Sequence, residues 1–225
     1  MDKRTILQMI EYCALSYRDC QPCKPEENII FINTPKHDVQ CYVRTVDETL
    51  VITFRGSDSW RDAISNLRFW KKKIPYGNTK SKIRVHTGFI DTYKSEKVRD
   101  IIHCQITHDI QKVQIMGHSL GAALSVLCAA DLQYNYPGID YEVLLLGCPR
   151  VGNRAFQKSY NKRVFKTFRV ENGNDFVTKI PLALLGFRHV GIRLHVGIPR
   201  ISGVYSFAEH RLSSYYGQTW KQPAT

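Results

Sequence analysis

The sequence lacks the features of membrane-spanning, low-complexity and repeat proteins. Its longest nearly uncharged helical run, residues 117–130, falls short of the roughly 20 residues that a bilayer-spanning helix needs. Glycine (14 residues) and proline (9) stand near ordinary usage, and no repeat or linker divides the 225 residues. Gln8 and Glu11 lie where a signal peptide would need an apolar stretch. We expect one domain, residues 1–225, located inside the cell, with peripheral contact to a membrane left open.

Cysteine gives little support for a metal site or a disulfide framework. The seven cysteines cannot all pair within one chain. Cys20 and Cys23 could ligate zinc, but no second Cys-x-x-Cys or His-x-x-x-His follows at the spacing of a zinc finger. Cys128 and Cys148 fall in apolar stretches, which is typical of small core residues. We expect no metal, no cofactor and reduced thiols.

Acidic residues are few beside the basic ones, at 20 against 32, so the net charge is +12. Residues 60–84 carry eight basic residues and one acid, and residues 150–200 carry eleven and two. Such charge attracts nucleic acid or an anionic lipid surface, although it can also serve only solubility. No zinc finger, Walker loop or RNA-recognition motif accompanies it, so we expect no nucleic-acid partner.

The alternation of strand-like and helix-like segments predicts an α/β fold with a mostly parallel sheet flanked by helices. Apolar runs predict strands over residues 28–33, 39–46, 49–54, 112–116, 141–146 and 164–170. Helical periodicity and composition predict helices over residues 5–17, 89–107, 122–133 and 153–160.

Residues 117–121, Gly-His-Ser-Leu-Gly, match the Gly-x-Ser-x-Gly pattern where a predicted strand meets a predicted helix. The glycines permit a sharp turn without a Cβ clash, which would present Ser119 at the carboxyl edge of the sheet. The helix that begins there directs N–H groups toward an oxygen that becomes charged. A turn in which Ser119 only caps the helix is the structural alternative.

A serine nucleophile needs a histidine base and a carboxylate that orients the base. In hydrolases with such a turn, the acid and then the histidine follow the serine along the chain. Glu171 and Asp175 come just after a predicted strand, where the sheet edge would present them. Spacing alone does not choose among the downstream histidines, which are His189, His195 and His210.

Several further motifs stand in a fixed order around this turn. They are Thr-Phe-Arg-Gly-Ser at 53–57, Val-His-Thr-Gly-Phe at 85–89, Gly-Cys-Pro-Arg-Val-Gly-Asn at 147–153, Asn-Asp-Phe-Val at 174–177, His-Val-Gly at 189–191, and His210 with Tyr215. In these motifs the chain resembles the class 3 (fungal-type) lipase family of α/β-hydrolases, from about residue 45 to residue 216. The resemblance implies an α/β-hydrolase-type fold with a short lid insertion, approximately residues 58–82.

The resemblance also implies the roles of individual residues. Ser119, Asp175 and His210 would form the catalytic triad, and His189 and His195 would support the scaffold. The N–H groups of Ser57 and Leu120 would form the oxyanion hole. His118 is expected to pack beside Ser119 without acting as a base. The lid would carry an apolar face at roughly helical spacing, formed by Trp60, Ile64, Leu67 and Trp70.

The implied activity is that of a serine ester hydrolase that cleaves acyl lipids, as a triacylglycerol or diacylglycerol lipase does, through an acyl-enzyme intermediate. A phospholipase A1-type acylhydrolase at anionic membranes is the alternative within the same chemistry. A basic, non-catalytic protein that binds nucleic acid or lipid is the alternative from another class. An acyl lipid is therefore the expected partner, together with peripheral contact to an anionic membrane surface.

Overall fold

The computed structural model describes residues 2–18, 29–34, 39–57, 70–74, 78–199 and 201–222. Within them, strands β1 to β11 are, in chain order, Ile29–Thr34, Val39–Val46, Thr49–Phe54, Lys71–Lys73, Arg84–His86, Lys112–His118, Asp140–Leu146, Gly152–Asn153, Thr167–Asn172, Phe187–Arg188 and Ile192–Val196. Helices α1 to α6 are Lys3–Leu15, Thr87–Tyr93, Val98–Cys104, Leu120–Asn135, Arg154–Arg163 and Leu212–Lys221.

A central sheet of seven described strands has the order β1-β2-β3-β6-β7-β9-β11. The β1, β2 and β3 strands pair antiparallel, and every pairing from β3 to β11 is parallel. The register aligns Phe54 with Gly117, His118 with Leu146, and Leu146 with Val170. The loops that follow β3, β6, β7 and β9 therefore open on one edge of the sheet, where ligands of such sheets bind.

Apolar side chains cover both faces of this sheet, as parallel strands require. Leu50, Ile52 and Phe54 of β3 face a core shared with α2, α3, α4 and α5, whereas Val51 faces the opposite core. That second core packs Met9, Ile10 and Cys13 of α1 and Tyr215 of α6 against the other face of the sheet. Because successive side chains of a strand point to opposite faces of the sheet, each central strand contributes to both cores, one under each layer of helices.

A second sheet of four short antiparallel strands has the order β10-β8-β5-β4. Its β4 strand is Lys71–Lys73, and Lys71 pairs in register with His86 of β5. Lys72 is held by an ion pair with Asp91 of α2 at 2.6 Å. The described part of the predicted lid segment thus includes a strand fixed to the body of the protein.

The boundaries of several predicted elements differ from the observed ones, and two of these differences have a clear structural cause. The single helix predicted for residues 89–107 is two helices, because Lys97 adopts a left-handed φ of 66° between α2 and α3. Both helices bury apolar residues in the same core, so periodicity alone does not show the break. The strand predicted for residues 164–170 is β9, Thr167–Asn172, because the Val164 N–H still bonds to the Tyr160 carbonyl of α5 at 2.8 Å.

No helix in the described ranges is long and apolar enough to cross a membrane. The longest of them, α4, has 16 residues and is buried between the sheet and its neighbouring helices.

Candidate active site

Ser119 lies at a sharp turn between the end of β6 and the start of α4, with φ 56° and ψ −122°. A residue with a Cβ rarely adopts this backbone conformation, which costs on the order of 1–3 kcal/mol. The Ser119 N–H bonds to the Leu146 carbonyl at 3.0 Å, and its carbonyl accepts from the N–H groups of Ala122 and Ala123 in α4. The turn is therefore anchored to the neighbouring strand on one side and to the helix on the other.

The glycines on either side of Ser119 are required by close backbone contacts. A Cβ on Gly117 would overlap the backbone of Gly121 and would stand 2.7 Å from the Ser125 hydroxyl. A Cβ on Gly121 would meet Arg55 at 2.7 Å. The helix can begin directly beside β3 and β6 only because both positions lack a side chain.

Asp175 and His210 form a buried pair at the same edge of the sheet. His210 Nδ1 donates to Asp175 Oδ2 at 2.8 Å, so the basic nitrogen of the imidazole is Nε2. Burial raises the pKa of Asp175, but the hydrogen bond and charge of His210, together with a hydrogen bond from Tyr215, outweigh it and hold the pKa below its ordinary value. Asp175 is therefore an anion that orients His210.

Three further contacts fix the acid loop. The Tyr215 hydroxyl donates to Asp175 Oδ2 at 2.5 Å, and the Val177 N–H donates to Asp175 Oδ1 at 2.8 Å. Glu209, the residue before His210, accepts the Asn174 N–H at 2.8 Å. The histidine turn and the acid loop are thus joined directly, which keeps the pair in one geometry.

Gly147, at the end of β7, leaves space for this pair. Its φ is +56°, and a Cβ there would lie 2.8 Å from two atoms of the His210 ring and 2.9 Å from Asp175 Oδ2. A side chain at this position would therefore displace the carboxylate or the imidazole. The sequence of the motif at residues 147–153 does not by itself indicate this role for its first glycine.

His118 connects the serine turn to His210. Its ring stacks on the His210 ring at a centroid distance of 4.6 Å, and its Nε2 donates to the His210 carbonyl at 2.7 Å. Its Nδ1 accepts from the Tyr17 hydroxyl at 2.9 Å. Both ring nitrogens are thus engaged within the scaffold, which agrees with the expectation that His118 packs beside Ser119 and is not a base.

Burial, together with the neighbouring His210, lowers the pKa of His118 from 6.5 to about 3. Below pH 6.5 the unfolded chain therefore takes up a proton that the folded protein excludes, and the free energy of unfolding falls by about 1.4 kcal/mol per pH unit. In His118→Gln this contribution disappears. We expect the difference in unfolding free energy between wild type and His118→Gln to shrink by about 2 kcal/mol from pH 7 to pH 5.

Urea unfolding of both proteins at several pH values measures this change. His108→Gln is the matched control, because the His108 side chain is 92% exposed and its replacement leaves the buried His118 in place. A constant difference between wild type and His118→Gln across this range would contradict a neutral, buried His118.

The predicted oxyanion residues lie on the two segments that meet at Ser119. A Cβ at Gly56 would stand 3.3 Å from the Ser119 Cβ, so the turn that contains buried Ser57 packs against the serine. Leu120 is the first residue of α4, where backbone N–H groups and the helix dipole favour a negative charge. This arrangement suits two N–H donors that approach one oxygen from different segments.

The other candidate acid and histidines serve the scaffold. Glu171 lies inside β9, where Arg169 and Arg193 pair with its carboxylate, the latter at 2.9 Å. His189 donates to the Thr178 carbonyl at 2.8 Å, and His195 lies within β11. Among the histidines left open by the sequence, the described structure joins only His210 to Asp175.

The predicted lid residues are only partly described. Trp60, Ile64 and Leu67 lie outside the described residues. Trp70 stands just before β4 and is 72% exposed. The apolar face proposed for the lid therefore stays a prediction.

A family model described as lipase (class 3) matches residues 51–185. A lipase of Rhizomucor miehei is 34% identical over 184 residues, which cover 77% of this chain and 50% of that protein. The chloroplastic phospholipase A(1) DAD1 of Arabidopsis thaliana is 33% identical over 60% of this chain and 34% of its own length. The chain thus spans about half the length, or less, of these curated relatives.

Solved structures of fungal lipases share the fold. The Rhizomucor miehei triacylglyceride lipase superposes with a TM-score of 0.73 at 29% identity, over 85% of this chain and 79% of that chain. Lipase II from Rhizopus niveus superposes with a TM-score of 0.75 at 27% identity, over 87% of this chain and 80% of that chain.

Proposed function

Because this chain belongs to the class 3 lipase family, we propose that it hydrolyses acyl esters of lipids through a covalent acyl-serine intermediate. The observation that carries the proposal is the set of contacts at one sheet edge: Ser119 at a strained turn, His118 stacked on His210, and His210 bonded to Asp175. Strain at a serine whose neighbour touches a buried His–Asp pair is typical of a nucleophile and not of a simple helix cap.

The proposed reaction uses these residues in turn. His210 Nε2 accepts the Ser119 hydroxyl proton as the serine oxygen bonds to the ester carbonyl carbon. The N–H groups of Ser57 and Leu120 stabilise the negative oxygen, each worth about 3 kcal/mol. The carbon–oxygen bond to the alcohol then breaks, and His210 returns the proton to the departing alcohol. A water molecule, activated in the same way, releases the fatty acid.

Labelling with an alkyl fluorophosphonate tests the nucleophile, because this reagent phosphonylates an activated serine. Peptide mass spectrometry should locate the adduct at Ser119. Unmodified Ser119 under conditions that label a known serine esterase would overturn the proposal.

An apolar rim beside the site supports action at a lipid surface. This apolar rim consists of five exposed side chains in the loop between β11 and His210, which are Ile198, Ile201, Val204, Tyr205 and Phe207. The rings of Tyr205 and Phe207 pack on Phe176 of the acid loop at 5.5 and 5.2 Å. Ser206 of the same loop bonds to the backbone of Asn174, so the rim is joined to the residues that carry Asp175.

Replacing Ile201 and Val204 together by aspartate should lower the ratio of activity on lipid vesicles to activity on a soluble short-chain ester by at least about tenfold. Two charges would then have to enter an apolar surface, which costs several kcal/mol. Vesicle co-sedimentation and parallel assays on the two substrates measure the ratio.

Phe165→Asp is the matched control. Phe165 is also exposed, but it precedes β9 and thus lies at the opposite edge of the sheet. An equal loss of the ratio in this variant would show that the rim has no special part in lipid binding.

Phospholipid is the second candidate substrate. The net charge of +12 favours binding to anionic membranes, and one relative is a phospholipase A(1). Fatty-acid release from diacylglycerol and from anionic phosphatidylglycerol, measured in vesicles of matched composition, separates the two. Preferential cleavage at the first acyl position of phosphatidylglycerol would favour the phospholipase A1-type activity.

A further inference from the structure

Tyr17 lies just beyond the end of α1 and reaches the serine turn, although no motif around Ser119 includes it. Its hydroxyl lies 2.9 Å from His118 Nδ1, and the rings of the two residues are 6.1 Å apart. A Cβ on Gly56 would overlap the Tyr17 hydroxyl and would stand 2.7 Å from the His118 carbonyl. The hydroxyl of Tyr17 therefore lies where the turn that contains Ser57 meets the serine turn.

The end of α1 is fixed to the body of the protein. The Tyr17 N–H bonds to the Ala14 carbonyl at 3.2 Å, and the buried Ser16 hydroxyl donates to the Cys13 carbonyl at 2.7 Å. Ile10 and Cys13 are fully buried in the core on this side of the sheet. The Tyr17 hydroxyl is thus presented from a helix end that these contacts hold in place.

The contacts of His118 select one neutral tautomer. A carbonyl oxygen only accepts hydrogen bonds, so the His210 carbonyl, 2.7 Å from His118 Nε2, requires the proton on that nitrogen. Nδ1 then carries a lone pair, and the Tyr17 hydroxyl is its donor. A buried acceptor that loses its donor is costly, so the hydroxyl of Tyr17 stabilises this arrangement of the ring.

His118 in turn holds His210 through two contacts. Its Nε2–H bonds to the His210 carbonyl, and its ring stacks on the His210 imidazole with an angle of 29° between the planes. With Nε2 protonated and Nδ1 bonded to Tyr17, both nitrogens of His118 are occupied and the ring is neutral. A neutral ring places no like charge beside His210, which becomes a cation when it accepts the serine proton.

We propose that Tyr17 is a positioning residue for the base: its hydroxyl keeps His118 in the neutral Nε2–H tautomer, which holds the His210 imidazole where it accepts the Ser119 proton. Its catalytic effect rests on the proposed hydrolysis, but the contact itself does not. Tyr17 acts through His118 and not on the reacting atoms. Small displacements matter here, because a misplacement of about 1 Å can lower a rate by about 10²-fold.

Replacing Tyr17 by phenylalanine removes only the hydroxyl. We expect kcat for a short p-nitrophenyl ester to fall about tenfold, with KM within about twofold, because the change reaches the base and not the bound ester. Tyr12→Phe is the matched control, because Tyr12 is a partly buried tyrosine of α1 whose ring packs on the Arg44 guanidinium at 4.7 Å. It should leave kcat and KM unchanged. A wild-type kcat in Tyr17→Phe would overturn the proposal.

A double-mutant cycle with His118→Ala separates an effect through His118 from a general structural role. In the His118→Ala background, Tyr17→Phe should lower kcat by less than about twofold, because the side chain through which it acts is already absent. Urea unfolding of the four proteins shows that the rates compare folded enzymes. An equal, tenfold loss in both backgrounds would count decisively against positioning through His118.

NMR of the protein labelled with ¹⁵N-histidine tests the tautomer without any catalytic activity. In the wild type, His118 Nε2 should carry the proton, Nδ1 should have the shift of an unprotonated nitrogen, and the Nε2–H should exchange slowly with solvent. In Tyr17→Phe this exchange should be at least about tenfold faster. A proton on Nδ1 in the wild type, or equal exchange in both proteins, would overturn the proposal. The expected signature in a protein that hydrolyses no ester would instead place the failure in the proposed hydrolysis.

Discussion

Replacing Ser119 by alanine should lower kcat for a short p-nitrophenyl ester by at least about 10⁴-fold. The hydroxyl is the atom proposed to bond to the substrate. The adjacent His118 cannot replace it, because both of its ring nitrogens are engaged, by Tyr17 and by the His210 backbone. Steady-state hydrolysis of the soluble ester measures the loss without any contribution from lipid binding.

The same variant should remain folded. Alanine carries the same Cβ as serine, so the strain at φ 56° is unaltered, and the Ser119 backbone bonds to Leu146 and to α4 persist. Thermal unfolding should therefore stay close to that of the wild type. Ser213→Ala, the same chemical change at an exposed position of α6, should leave both rate and stability unchanged. Full activity in folded Ser119→Ala would exclude Ser119 as the nucleophile.

The parallel sheet and the chain's family could be predicted from the sequence because both depend on local signals. Mostly apolar runs such as residues 49–54 and 141–146 indicate strands buried on both faces, and each forms a strand of the central sheet. The motif order around Ser119 indicated the class 3 lipase family, and the family match and the fungal lipase structures confirm it. The mostly parallel sheet flanked by helices is confirmed as well.

The contacts that fix the site could not be predicted, because they join distant parts of the chain. Tyr17 meets His118 across 101 residues, and Tyr215 meets Asp175 across 40. Tyr17 carried only the signal of an amphipathic helix, which assigns it to packing. A tyrosine hydroxyl needs a hydrogen-bond partner when it is buried, but the sequence does not say which partner it finds.

The choice between Glu171 and Asp175 depended on where β9 ends. With the strand ending at residue 170, both acids follow it and both could reach the sheet edge. The helical bond from Val164 to Tyr160 delays the start of β9, and pairing with β11 extends its end to Asn172. Glu171 is therefore a strand residue paired with arginines. A shift of two residues at a strand end thus separates a scaffold acid from a candidate catalytic one.

Replacing Asp175 by asparagine should lower kcat by about 10³- to 10⁴-fold. Asp175 Oδ2 accepts from both His210 Nδ1 and the Tyr215 hydroxyl, and Oδ1 accepts from the Val177 N–H. An asparagine offers one oxygen and one NH₂ group, so one of these donors must face another donor. If the NH₂ group faces His210, Nδ1 becomes the acceptor, and the proton moves to Nε2, where it blocks acceptance of the serine proton.

The pH dependence of wild-type stability should reflect the same carboxylate. Since the pKa of Asp175 lies below its ordinary value, the acid remains ionised through the neutral range, and the stability that it contributes is lost only as the pH falls through that lowered pKa. Asp175→Asn should remove this acid-side contribution to stability along with most of the activity. Asp109→Asn, the same change in an exposed pair with His108, should do neither. Near-normal kcat in folded Asp175→Asn would contradict the triad.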